Sequence, residues 1–246
     1  MDWITDPSAW IGLLTLTLLE IVLGVDNIIF ISILAGKLPA DKRARARRLG
    51  LLGAFFSRLL LLLSIAWVVR LTAPLFSVAG VDISGRGLIL ILGGLFLIGK
   101  ATHEIHDKLE GEDESSETTR TARSMTAVVA QIMVIDIVFS LDSVITAVGM
   151  ISNQYPLHVG IPLMVMAILV AVAVMIFASN PIGDFIDRHP TVKMLALAFI
   201  ILVGIALIAD GFEIHIDRKL LYFAMAFSAG VEGLNILSTR RARKHR

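Results

Sequence analysis

Two apolar segments, LEIVLGVDNIIFI at residues 19–31 and IDIVFSLDSVITA at 135–147, carry one pattern: a carboxylate, five residues, a second carboxylate, then a small amide or hydroxyl. Glu20, Asp26 and Asn27 form the first set, and Asp136, Asp142 and Ser143 the second, with Ser140 between its two acids. Ionisable groups inside a bilayer cost about 2.5–3.5 kcal/mol each on insertion scales, so two matched pairs point to use. Four such carboxylates near one another in low dielectric require compensation by a divalent metal, protons or both in alternation. The chain has no cysteine, and no imidazole stands near either motif. An all-oxygen donor set of this kind suits hard cations such as Mn²⁺, Mg²⁺ or Ca²⁺ over Zn²⁺ or Cu⁺. Metal and protons competing for the same carboxylates give metal/proton exchange.

The helices that carry these groups set the geometry. On an ideal helix Glu20 and Asp26 point about 120° apart, whereas Glu20 and Asn27 share one stripe. Both acids of one helix then reach a common ion only if the helix unwinds, which predicts a local distortion over 22–27 around Gly24 and a weaker one over 138–143 near Ser140. For antiparallel helices crossing level with Leu23 and Phe139, Glu20 lies level with Asp142 and Asp26 with Asp136, as one cluster near the midplane.

The whole chain is a membrane protein by composition: 246 residues, 56% hydrophobic and 17% charged, with mean hydropathy +0.81. Windows of about 20 apolar residues fall at roughly 8–34, 49–72, 86–106, 125–151, 157–179, 191–210 and 219–237, giving an all-α polytopic protein of seven transmembrane helices. The first reads as a retained span rather than a cleaved signal. Net charge is only +1, but basic residues cluster at 37–48 and after Ser238. The positive-inside rule then places the N-terminus outside and the C-terminus in the cytoplasm. The polar stretch at about 107–124 reads as a cytoplasmic loop. It separates repeat one (about 8–106) from repeat two (about 125–210), a 3+3 inverted repeat within a single transmembrane domain, with helix seven at about 219–237 added. LFLIGKATHEIHD at 95–107 and IALIADGFEIHID at 205–217 match in the same order as the acidic motifs, which is the mark of internal duplication.

Other polar positions carry weaker signals. Arg58, deep in the second span, is placed either to balance the acidic cluster or to bridge to the cytoplasmic face. Glu232 and Asn235, in FSAGVEGLN on the last helix, are candidates for a gate or ion path. Lys100, His103, Glu104 and His106 read as an ordinary charged helix end. Gly93, Gly94 and Gly204 suit close helix packing. The segment 180–190, NPIGDFIDRHP, reads as a salt-bridged turn with Pro190 opening the next helix. No GxxxxGK[ST] phosphate loop and no GxGD protease segment is present, so no enzyme activity and no organic cofactor are expected, and uphill transport needs a gradient or a partner. The expected partners are a divalent metal ion, protons and the lipid bilayer, with no nucleic acid. Two rival readings are an exporter of an organic cation or amino acid, and a membrane-assembly or stress-resistance protein without transport of its own.

EIVLGVDNIIFIS, DIVFSLDSVITAVG, IGDFIDRHPTVKMLAL, FEIHI and YFAMAFSAGVEGLN together resemble the TerC family of bacterial integral membrane proteins, in particular its short YgdQ-like members. The resemblance covers nearly all of the chain and implies a multi-pass protein of the cytoplasmic (inner) membrane, grouped with LysE-type exporters. Some members are associated with Mn²⁺ efflux, others with tellurite resistance or membrane assembly. The resemblance therefore implies Mn²⁺ as the transported ion, with Glu20, Asp26, Asn27, Asp136, Asp142 and Ser143 as the ion-handling groups.

Overall fold

The computed structural model describes residues 6–78, 80–110, 124–152, 155–214 and 216–244. In chain order these form α1 (Pro7–Ala35), α2 (Ala40–Leu63), α3 (Ile65–Arg70), β1 (Pro74–Val78), β2 (Val81–Ser84), α4 (Gly85–Leu109), α5 (Met125–Ser152), α6 (Leu157–Arg188), α7 (Pro190–Gly211) and α8 (Arg218–Lys244). Among the described residues, six helices, α1 and α4 to α8, are long and apolar enough to cross a membrane.

The boundaries follow from local chemistry. Asp6 caps α1 by accepting from the Ser8 amide, with Pro7 in the first turn, where a missing N–H costs nothing. Ser84 caps α4 by accepting from the Gly87 amide. Pro190 opens α7 as its position predicts, with His189 as the extended cap.

Three sequence expectations change. The second span is not one helix over 49–72. α2 begins at Ala40, so most of the basic connector is its first turns, and it stops at Ser64, whose hydroxyl donates to the Leu60 and Leu61 carbonyls. Such bonding back onto the preceding turn competes with the helix ladder. The short α3 and an antiparallel hairpin follow, the latter turning through Gly80 at φ 83°, a backbone state that glycine adopts without steric cost. Lastly, the segment 180–188 is helical, not a turn, and α6 carries Pro162 and Pro181 within it. The loop expected at 107–124 falls largely on residues outside those described.

The chain forms two compact units, each drawing on both halves of the sequence. Unit 1 contains α1, α2, α3, α5 and most of α6. The buried side of α2 is a helical stripe through Arg47, Gly50, Leu51, Ala54, Ser57, Arg58, Leu61 and Leu62. Gly50 and Gly53 let it approach α5: a β-carbon at either would lie 2.8 Å from Ile132 or Met133 respectively. α2 and α5 run in the same direction, so the contact that starts at Gly50 and Ile132 is followed by that of Arg58 with Asp136, about two turns further along α2 and one along α5.

Unit 2 contains the hairpin, α4, α7 and α8. α4 and α7 meet backbone to backbone at glycines seven residues apart on each helix. A β-carbon at Gly94 would lie 2.5 Å from the Gly204 carbonyl and one at Gly204 2.9 Å from the Gly94 carbonyl, while Gly87 and Gly211 oppose each other in the same way at 2.7 Å. The expected packing role of Gly94 and Gly204 is thus observed. The contacts are also reciprocal: Gly94 faces Ile208 and Gly204 faces Ile98, and each member of a pair lies 110 positions from its counterpart.

Candidate functional site

The polar centre of unit 1 is built by three helices. α5 supplies Asp136, α2 supplies Ser57 and Arg58, and α1 supplies Glu20 and Asn27. Asp136 Oδ1 accepts from Asn27 Nδ2 at 3.1 Å, from Arg58 Nη2 at 3.2 Å and from Arg58 Nε at 3.4 Å. Its Oδ2 accepts from the Ser57 and Ser140 hydroxyls, each at 3.0 Å. Arg58 Nη1 donates to Glu20. The guanidinium therefore joins a carboxylate of the first motif to a carboxylate of the second, with Arg58 2% and both acids 3% exposed. Ser143 is also buried and donates to the Ser140 carbonyl at 3.2 Å.

N–H donors on different edges of one guanidinium facing two carboxylates is the geometry in which arginine outperforms lysine, since its donors form a fixed planar fork. Desolvating these charges costs several kcal/mol per ion, and the cost is offset only where hydrogen bonds fill the remaining lone pairs. Asp136 meets that condition on both oxygens.

The stripe logic holds and the unwinding does not. Glu20 and Asn27, seven residues apart, are both buried on the same side of α1. α1 is helical through 22–27 and α5 through 138–143, so the expected distortions near Gly24 and Ser140 are absent. Gly24 instead sits against the Met175 side chain of α6 with no room for a β-carbon, and Ser140 turns its hydroxyl to Asp136. Arg58 reaches in from a third helix and spans acids that α1 and α5 present separately.

The depth match is one residue from the expectation. Asn27 bonds Asp136, and Ser8 bonds the Tyr155 hydroxyl at 2.7 Å. Both contacts keep one antiparallel register, since residues 8 to 27 and 136 to 155 span equal lengths of chain. The difference is about 1.5 Å along the helix. Asp26 and Asp142 stand on α1 and α5, but their side chains lie outside those described. Among the described residues, no group of three or more carboxylates or imidazoles converges.

Glu232 and Asn235 belong to unit 2. Glu232 accepts from the Thr191 hydroxyl at the start of α7 and from Asn235 Nδ2 at 3.4 Å. Of the helix-end residues, Lys100 and Glu104 approach to 3.6 Å, His103 and Asp107 to 3.7 Å, and His106 and Glu110 to 3.4 Å. These are i,i+4 pairs along one helix, in keeping with the structural reading. Asp184, read as part of a salt-bridged turn, does form a bridge, to the buried Arg47 at 2.9 Å, but from within α6. Ser57 was not singled out from sequence. Its signal was a second polar residue beside Arg58 in an otherwise apolar run.

A polytopic helical protein with a buried arginine-bridged acid pair is an integral membrane protein whose interior is built for charge. The model of the integral membrane protein TerC family matches residues 5–246, and the chain belongs to that family. It is 56% identical over 239 residues to the UPF0053 inner membrane protein YgdQ of Escherichia coli K12, covering 97% of each chain. It is 54% identical to a UPF0053 protein of Haemophilus influenzae, covering 97% of this chain and 98% of the relative. It is also 47% identical to the UPF0053 inner membrane protein YoaE of Escherichia coli K12, of which the match covers 46%. No solved structure matches. With these relatives and its membrane-length helices, the chain is a multi-pass protein of the bacterial inner membrane.

Proposed function

We propose that this chain is a secondary transporter that exports a divalent metal cation, Mn²⁺, in exchange for protons, with no enzymatic activity of its own. The observation that carries the proposal is the Arg58 bridge between Glu20 and Asp136, acids from matching positions of the two motifs. In formal charge, Glu20, Asp26, Asp136 and Asp142 against Arg58 leave an excess of three negative charges, which a divalent cation and a proton neutralise. Arg58 occupies oxygens of both Glu20 and Asp136 between turnovers. A metal ion competes with the guanidinium for the same oxygens, and protons release the metal again. Asn27, Ser140 and Ser143 supply neutral oxygens beside the acids.

The size of the space beside Glu20 supports an ion over an organic cation or amino acid. The cavity there, walled by Leu16, Leu62, Val144 and Met164, is about 10 Å³, near the lower limit for one water.

The proposed membrane arrangement is seven crossings with α2 and α3 together as the second, the N-terminus outside and the basic C-terminus in the cytoplasm. A 3+3 inverted repeat is supported by the reciprocal Gly94–Ile208 and Gly204–Ile98 contacts, which equivalent residues of two repeats make about a local twofold axis. Glu232 and Asn235 serve as a gate in this arrangement.

Purified protein in liposomes tests the function. Mn²⁺ uptake coupled to a pH gradient is expected, with Asp136→Asn and Glu20→Gln each slowing it at least about tenfold, as loss of one functional intramembrane acid implies. Flux that is absent from wild type, or unchanged in both variants, overturns the reading.

A further inference from the structure

A cavity of about 560 Å³ opens at the N-terminal end of α1, between it and the C-terminal end of α5. Its rim is polar. The Ser8 hydroxyl donates to Asp6 Oδ1 at 2.6 Å and accepts from the Tyr155 hydroxyl at 2.7 Å, and the Tyr155 oxygen lies 3.3 Å from Asp6 Oδ2. Gly12 and Thr15 line its wall, one and two turns deeper along α1, and Leu16 forms its floor. Leu16 is 2% exposed and lines a second space as well, the small cavity that contains Glu20. The two cavities therefore stand on opposite sides of one leucine, at the same helix face that continues to Asn27.

We infer that the Asp6–Ser8–Tyr155 cavity is the outer vestibule that holds a hydrated divalent cation on its way from Glu20, with the Leu16 side chain as the apolar barrier between them. The inference rests on the transport reading. A wide chamber with a carboxylate and two hydroxyls at its mouth accommodates a cation with its water shell, whereas the space at Glu20 admits a water at most. An apolar constriction between two wettable spaces blocks ions by excluding water, and opens when the side chain moves aside. The Asp6 carboxyl is held below its ordinary value by the hydrogen bonds from Ser8, so it remains anionic at neutral pH. Gly12 has open space where a β-carbon would stand, which keeps the wall of the vestibule clear.

The chain contains no cysteine, so single cysteines report accessibility without background. In detergent-purified protein probed with a cationic, water-soluble methanethiosulfonate, Gly12→Cys is expected to react at least about tenfold faster than Leu18→Cys, which faces away from the cavity and into the micelle. Ala147→Cys, on the Glu20 side of the barrier and 6% exposed, is expected to react slowly in the otherwise native chain and about tenfold faster when Leu16→Ala is added. In liposomes, Gly12→Trp is expected to reduce Mn²⁺ flux while leaving the melting temperature unchanged. Equal labelling of the Gly12 and Leu18 variants, or labelling at Ala147 indifferent to Leu16→Ala, overturns the vestibule even where wild-type flux is robust. Zero wild-type flux overturns the transport reading itself, and with it the cation's part in the vestibule.

Discussion

Arg58 Nη2 lies 3.2 Å from Asp136 Oδ1 while Nη1 of the same guanidinium donates to Glu20. This single cation links three helices in the buried interior of unit 1. Removing it leaves two buried carboxylates without a counter-charge. Arg58→Met is therefore expected to destabilise unit 1 by about 3–5 kcal/mol, the range for breaking one partner of a buried ion pair. Arg58→Lys is expected to lose less, since a lysine keeps the charge but satisfies one carboxylate at a time. Thermal unfolding in detergent, followed by fluorescence-detected chromatography, measures both.

The double substitution Arg58→Met with Asp136→Asn removes charge from both sides. It is expected to recover a measurable part of the Arg58→Met loss, because the remaining amide needs no cation and still meets Ser57 and Ser140. A double-mutant cycle in which the two effects simply add argues that the pair does not interact.

The α4–α7 contact has no slack at its glycines. Gly94→Ala places a methyl 2.5 Å from the Gly204 carbonyl oxygen, and the obstacle is backbone, which does not turn aside. Overpacking of this kind costs about 1–3 kcal/mol. Gly12→Ala, with nothing near its β-carbon, is the matched control and is expected to leave the melting temperature within the error of the measurement.

The cap of α1 is expected to tolerate mild acid. Its hydrogen bonds lower the Asp6 pKa from the ordinary 3.8. A depressed carboxyl contributes stability that is fully present above the unfolded value and is lost as pH falls through the folded one. Hydrogen-exchange protection in the first turn of α1, corrected for intrinsic rates, should thus be flat from neutral pH down to the ordinary value and decline only below it. Protection that falls in the range where histidines titrate would count against the cap.

The sequence by itself determined that this is a helical membrane protein with two matched acidic motifs. Runs of apolar residues of bilayer length permit little else, and buried acids at repeated spacing are too costly to be incidental. It also determined that Glu20 and Asn27 share a face, because helical periodicity is local. It marked Arg58 as a candidate counter-charge, and the structure places that residue against Glu20 and Asp136. Tertiary structure decided how the acids are reconciled. Sequence spacing alone predicts broken helices; in the structure α1 and α5 are continuous, and the buried stripe of α2 brings Arg58 and Ser57 to Asp136. The register that sets Asn27 against Asp136 was likewise beyond local periodicity, for it depends on how far α1 slides along α5. The division of labour of the glycines followed the same rule. Gly24 looked like a break and Gly94 like a packing site on similar local grounds, and only the neighbour each one meets, a methionine side chain in one case and a carbonyl in the other, fixed what the missing β-carbon is for.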